Sequence, residues 1–72
     1  MDEQRNLINY TVVCVNEFAR EHKLTIKEAF HYLLRFQGIL FIKENYEIEH
    51  TLPFDTVIED LGIYCKRNGG KL

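Results

Sequence analysis

The chain lacks most of what marks a specialised protein class. It has no tryptophan, one methionine, one proline and two cysteines in 72 residues. Two cysteines far apart in sequence, Cys14 and Cys65, exclude a disulfide-dense scaffold and the close Cys-x-x-Cys spacing of a zinc site. One proline and four glycines exclude a collagen-like or low-complexity chain. Apolar runs reach about five residues, far short of the ~20 that span a bilayer. The Met1–Arg5 stretch lacks the charged-then-apolar pattern of a signal peptide. No glycine-rich phosphate loop occurs, since Asn68-Gly69-Gly70 is sufficiently explained as a helix end. A cytoplasmic protein with reduced thiols and no membrane association is the expectation.

Strong charge of one sign is also missing, because the formal net charge is only −2. Its distribution is uneven. Residues 1–42 balance, residues 43–60 set Lys43 against Glu44, Glu47, Glu49, Asp55, Glu59 and Asp60, and the end carries Lys66, Arg67 and Lys71. Nucleic-acid binders draw much of their affinity from a basic face. Only the short basic end is available for that, so nucleic acid is disfavoured as a partner.

What is present is helical periodicity. At 46% apolar and 28% charged residues the chain has the composition of a folded domain. Its single core is expected to supply no more than ~3–5 kcal/mol. From about Glu3 to His22, the residues Leu7, Ile8, Thr11, Val15, Phe18, Ala19 and His22 form one stripe, with Asp2 and Glu3 suited to its start. Thr25 followed by Glu28 is a capping box. It opens a helix with Ile26, Ala29, Phe30, Leu33, Leu34 and Gln37 on one face, and Gly38 is expected to close it in the left-handed conformation. A third helix is expected over about Ile39 to His50, with Ile39, Ile42, Tyr46 and His50 on one face and Phe41 and Ile48 on the other. The fourth starts at Pro53, a residue favoured at a first helical position, and buries Phe54, Val57, Ile58, Leu61, Tyr64 and Cys65. The fold class is all-α: one domain over residues 1–72, a bundle of about four helices with short loops.

Three constellations invite chemistry, and each meets a physical objection. Glu28–His31 and Glu47–His50 have the Glu-x-x-His spacing that di-iron bundles place on two helices, with Glu17 and Glu59 available as further carboxylates. However, Glu28 and His31 lie off their apolar face, and Glu28 is already explained by capping. A nucleophilic cysteine needs a base within reach. Cys14 and His22 stand about 12 Å apart along one helix axis, and Cys65 falls on an apolar face. A helix-turn-helix needs a turn glycine about where Leu33 stands, and its recognition helix would carry Lys43 among Glu44, Glu47 and Glu49. Catalytic residues, metal ligands and cofactors are therefore not expected, and the chain is expected not to be an enzyme.

The remaining signal is surplus apolar surface. Val13, Tyr32, Phe36, Phe41, Ile48 and Ile63 lie off the stripes of their helices. A fuller core would absorb some of them. The others would form an interface, because small monomers seldom expose large apolar patches. Tyr32, Phe36, Phe41 and Ile48 are the candidate partner surface, for a protein partner or a second copy.

Blocks in order along the chain carry a family resemblance. Leu7-Ile8, Val12 to Ala19, Leu24 to Phe30, Tyr32-Leu33, Gly38-Ile39, Tyr46-Glu47, Glu49-His50 and Cys65 to Lys71 resemble an uncharacterised family of short bacterial proteins, domain of unknown function 3791. The resemblance implies no activity and no catalytic residues. It implies an antitoxin or accessory role, through genes for ADP-ribosyltransferase-like proteins that neighbour such genes. A small regulatory nucleic-acid binder using Lys66, Arg67 and Lys71 is the alternative.

Overall fold

The capping signals build much of the architecture. A computed structural model describes residues 3–72; Asp2, expected at the first helix start, lies outside them. Helix α1 spans Glu3–His22 and ends on Lys23, which takes φ 56°. That left-handed residue lets the Leu24 N–H donate to the Ala19 carbonyl at 2.9 Å. Helix α2, Ile26–Arg35, opens with the expected capping box. The Thr25 N–H donates to Glu28 Oε1 at 2.9 Å, and the Glu28 N–H donates to Thr25 Oγ1 at 3.0 Å.

Gly38 does not close α2. Gln37 takes the left-handed conformation, φ 70°, and Gly38 becomes the buried first residue of α3, Gly38–Glu44. A Cβ built on Gly38 would lie 2.7 Å from Leu33 Cδ2 and 2.9 Å from Cys65 Sγ. Glycine is needed here for close approach, and the backbone strain falls on its neighbour.

The expected third helix divides at Asn45, whose φ of −113° and ψ of 16° leave the helical region. Its backbone N–H and its side-chain amide both donate to the Phe41 carbonyl, each at 3.0 Å, a local bond that competes with helix continuation. Past the break, α4 is a single turn, Tyr46–Glu49, rotated so that Glu49 is buried while Ile48 and His50 are exposed. Periodicity read across the break misplaces His50, whereas Ile48 is exposed as its place in the candidate partner surface expects. Pro53 stands at the cap of α5, Phe54–Arg67, one position before the helix. At the other end Gly69 adopts φ 104°. Gly70 N–H donates to the Cys65 carbonyl and Gly69 N–H to the Lys66 carbonyl, the paired bonds of a Schellman motif.

The core gathers Cys14, Val15, Phe18 and Ala19 of α1 with Ala29 and Leu33 of α2. Ile42 of α3 and Val57, Ile58, Leu61 and Cys65 of α5 complete it. The α5 stripe is buried as spacing expects at Val57, Ile58, Leu61 and Cys65, whereas Phe54 is 39% exposed. In α1, Cys14 is fully buried at the centre of the face, whereas Ile8, expected inside, is 62% exposed. The radius of gyration, 11.2 Å, is that of one compact domain of this length. Among the described residues there is no strand, and no helix is long and apolar enough to cross a membrane.

Candidate functional site

Helix α2 turns a different face inward from the one its apolar stripe suggests. Ala29 and Leu33 are buried, but Ile26, Phe30 and Leu34 are 59%, 41% and 55% exposed. The space is taken by Tyr32 and Phe36, which the stripe leaves outside. Tyr32 stacks on Phe18 at 5.7 Å between ring centroids and leans on Phe36 at 4.8 Å. The C-terminal residues close over this pair: the Leu72 N–H donates to Tyr32 Oη at 3.0 Å, and Gly70 packs against the Tyr32 hydroxyl. Phe41 also turns inward, against Tyr64 at 4.8 Å. Three of the four expected surface residues, Tyr32, Phe36 and Phe41, therefore pack on the core. Ile48 is 68% exposed, on the rim of a shallow groove of about 420 Å³ beside Leu7 and Tyr46.

The displaced stripe forms a new surface. Residues spaced by four lie one above another on a helix, so Ile26, Phe30 and Leu34 make one continuous apolar row. Exposed Lys27 and His31 follow two of its members in sequence. The acidic residue of this helix, Glu28, points away and is held by the Thr25 N–H. Of the order of 300 Å² of apolar area on one short helix reaches the size at which patches on small monomers carry function.

A second feature escaped the sequence altogether: a buried polar cluster where α1, α4 and α5 meet. Glu49 is 8% exposed, and its Oε1 finds no hydrogen-bond donor. Burial raises its pKa, and the neighbouring Asp60 carboxyl raises it further. Beside them the Tyr10 hydroxyl is also buried without a hydrogen-bond partner, with the Cys14 thiol as a neighbour. Burial pushes the phenol above its ordinary range and the thiol up to about 11. Tyr10 packs edge-on to Tyr46 at 5.2 Å and stacks on Phe54 at 5.7 Å, which walls the cluster from water.

Residues 9–68 match the model of a family described as protein of unknown function, DUF3791. The chain belongs to this family. It is the family that the ordered sequence blocks resemble, and the DUF3791 match covers both features just described. No curated protein and no solved structure matches the chain.

The other candidates of this DUF3791 chain fall apart from one another. Glu28 is spent on its cap, and His31 is exposed. His50 Nδ1 lies 2.7 Å from the Tyr46 carbonyl of its own turn, and its ring stacks on Tyr46 at 4.5 Å. Glu47 and Glu59 are exposed, and Glu17 is 3.6 Å from Arg20. Among the described residues, no three histidine, cysteine or carboxylate side chains gather where they could hold a metal. Cys65, like Cys14, is a buried free thiol pushed up to about 11 by burial, the opposite of the thiolate stabilisation that nucleophilic chemistry uses. His22 stacks on Phe18 at 4.3 Å. Lys66, Arg67 and Lys71 are exposed, the first two complementing the C-terminal end of the α5 dipole.

Proposed function

We propose that this chain is a cytoplasmic protein-binding module without a catalytic step, acting as an accessory or antitoxin to a neighbouring gene's product. The observation that carries the reading is the exposed row of Ile26, Phe30 and Leu34 on a helix whose inward face is already filled. Completing the burial of these side chains is worth roughly 2–5 kcal/mol, taking ~1.5–3 kcal/mol for each whole side chain and about half of each still exposed. Lys27 beside the row favours a partner that presents apolar side chains with acidic neighbours. It opposes a second copy docked through the same face, because like charges would meet.

The test is co-expression with the adjacent gene product, followed by size-exclusion chromatography. A co-eluting complex that Ile26→Asp with Phe30→Asp abolishes is the expected result. Both sites are exposed, so the fold should survive. A monomer that ignores the adjacent product overturns the reading, as does a complex indifferent to the double substitution. A dimer of the chain alone that the same substitutions dissolve would replace the partner with a second copy.

A further inference from the structure

The C-terminal part of α1 and the length of α5 enclose an open groove of about 520 Å³ on a different surface from the α2 row. Three apolar side chains of α5 contribute to its lining: Ile58, 7% exposed, Phe54, 39%, and Ile63, 47%. Between them sits Gly62, in the interior of α5. A Cβ built there meets nothing within 4 Å, and Gly62 is absent from the glycines with positive φ. Glycine in a helix interior costs about 0.5–1 kcal/mol relative to alanine, and neither local space nor backbone conformation demands it here. The role left to it is to let something approach the groove closely from outside.

The charged lining supplies the chemistry. Glu17 and Glu21 line the α1 side, and Asp55 and Glu59 line the α5 side. Glu17 leans toward Arg20 at 3.6 Å, but Arg20 is 79% exposed, and such surface pairs hold weakly. The basic members of the lining are His22 and Lys66. A lining that combines apolar side chains with four carboxylates is complementary to a helix with one apolar face and basic flanks. Phe54 and Lys66 stand about 18 Å apart along α5, three turns of helix, which is enough to seat anchors at i, i+4 and i+7.

We propose that this groove seats a basic amphipathic helix from a partner protein. Its apolar face lies on Phe54, Ile58 and Ile63, its backbone passes close over Gly62, and its Lys or Arg side chains reach the four carboxylates. The proposal is independent of the α2 row, whose Lys27 would repel such a helix.

The experiment titrates the isotope-labelled chain with a 14-residue synthetic helix carrying leucine on one face and lysine on both flanks. Its counterpart with glutamate in place of lysine is the control. Expected are amide shifts concentrated at Glu17, Glu21, Glu59, Gly62 and Ile63, with an affinity that falls steeply as salt rises. Asp55→Lys with Glu59→Lys should weaken binding tenfold or more. Gly62→Leu should do the same while circular dichroism shows the fold intact. Ile26→Asp with Phe30→Asp should leave it unchanged, so this proposal and the reading of the α2 row fail separately. Shifts centred on α2, equal binding of the glutamate control, or full affinity in Gly62→Leu would each overturn the proposal.

Discussion

Replacing Gly38 and Gly62 by alanine in separate variants should move stability in opposite directions. At Gly38 the new methyl would stand 2.7 Å from Leu33 Cδ2, 2.9 Å from Cys65 Sγ and 3.2 Å from Leu33 Cα. Leu33 and Cys65 are both fully buried, and the Leu33 Cα is backbone, so the crowding cannot be relieved by swinging one side chain away. Overpacking of this kind costs about 1–3 kcal/mol, against a gain of about 0.5–1 kcal/mol from removing a helical glycine. At the middle of both ranges the net loss is about 1 kcal/mol. At Gly62 the same methyl meets nothing within 4 Å, so the gain of about 0.5–1 kcal/mol stands alone. One kcal/mol corresponds to roughly 4–8 °C in a domain of this size. Gly38→Ala should therefore melt roughly 4–8 °C lower than the parent, and Gly62→Ala roughly 2–8 °C higher. Urea unfolding followed by circular dichroism at 222 nm would measure both, with an unchanged slope showing that the native state is intact. Equal stabilities, or the reverse order, would refute the account of why each glycine is there. In the Gly38→Ala background, Cys65→Ala should cost less than it does in the parent, because it removes one of the clashing atoms.

The buried Glu49 carboxyl gives a pH dependence of definite sign. Glu49 has a folded pKa above its ordinary 4.5, so the folded state holds its proton longer than the unfolded state does. Its contribution to stability is complete below pH ~4.5 and is lost as pH rises through the folded value. Glu49→Gln keeps the shape, removes the titration and can donate its amide to Asp60. It should match or exceed the parent at neutral pH and lack this loss, and a parent-like slope in the variant would contradict the assignment. Thr25→Ala removes half of the capping box and should cost about 1 kcal/mol, measurable by the same unfolding curves; no change would mean that the Glu28 carboxylate alone holds the helix start.

The features legible in the sequence are those that local geometry dictates. The capping box at Thr25–Glu28, the helix stop at Asn68–Gly70 and the α5 stripe each depend on residues within a turn or two of one another. Backbone bonding and i, i+4 spacing therefore determine them. All-helical class followed from the same periodicity, and the ordered blocks from Leu7 to Lys71 carried the family. The surface residues were less legible. Tyr32 and Phe36 were expected outside because they lie off the α2 stripe, and nothing near them in sequence shows the chain end returning to cover them.

Tertiary structure decided what neighbours cannot. It chose which face of α2 turns inward, because Tyr32 could stack on Phe18 only once α1 was beside it, and Leu72 bonds to Tyr32 from the far end of the chain. It set Gln37 rather than Gly38 in the left-handed position, because the missing Cβ is required where Leu33 and Cys65 converge. It also buried Glu49 against Asp60, because the Asn45 break re-aims the single turn of α4. Local spacing fixed the helices of this protein; packing between segments distant in sequence fixed which side chains remain for a partner.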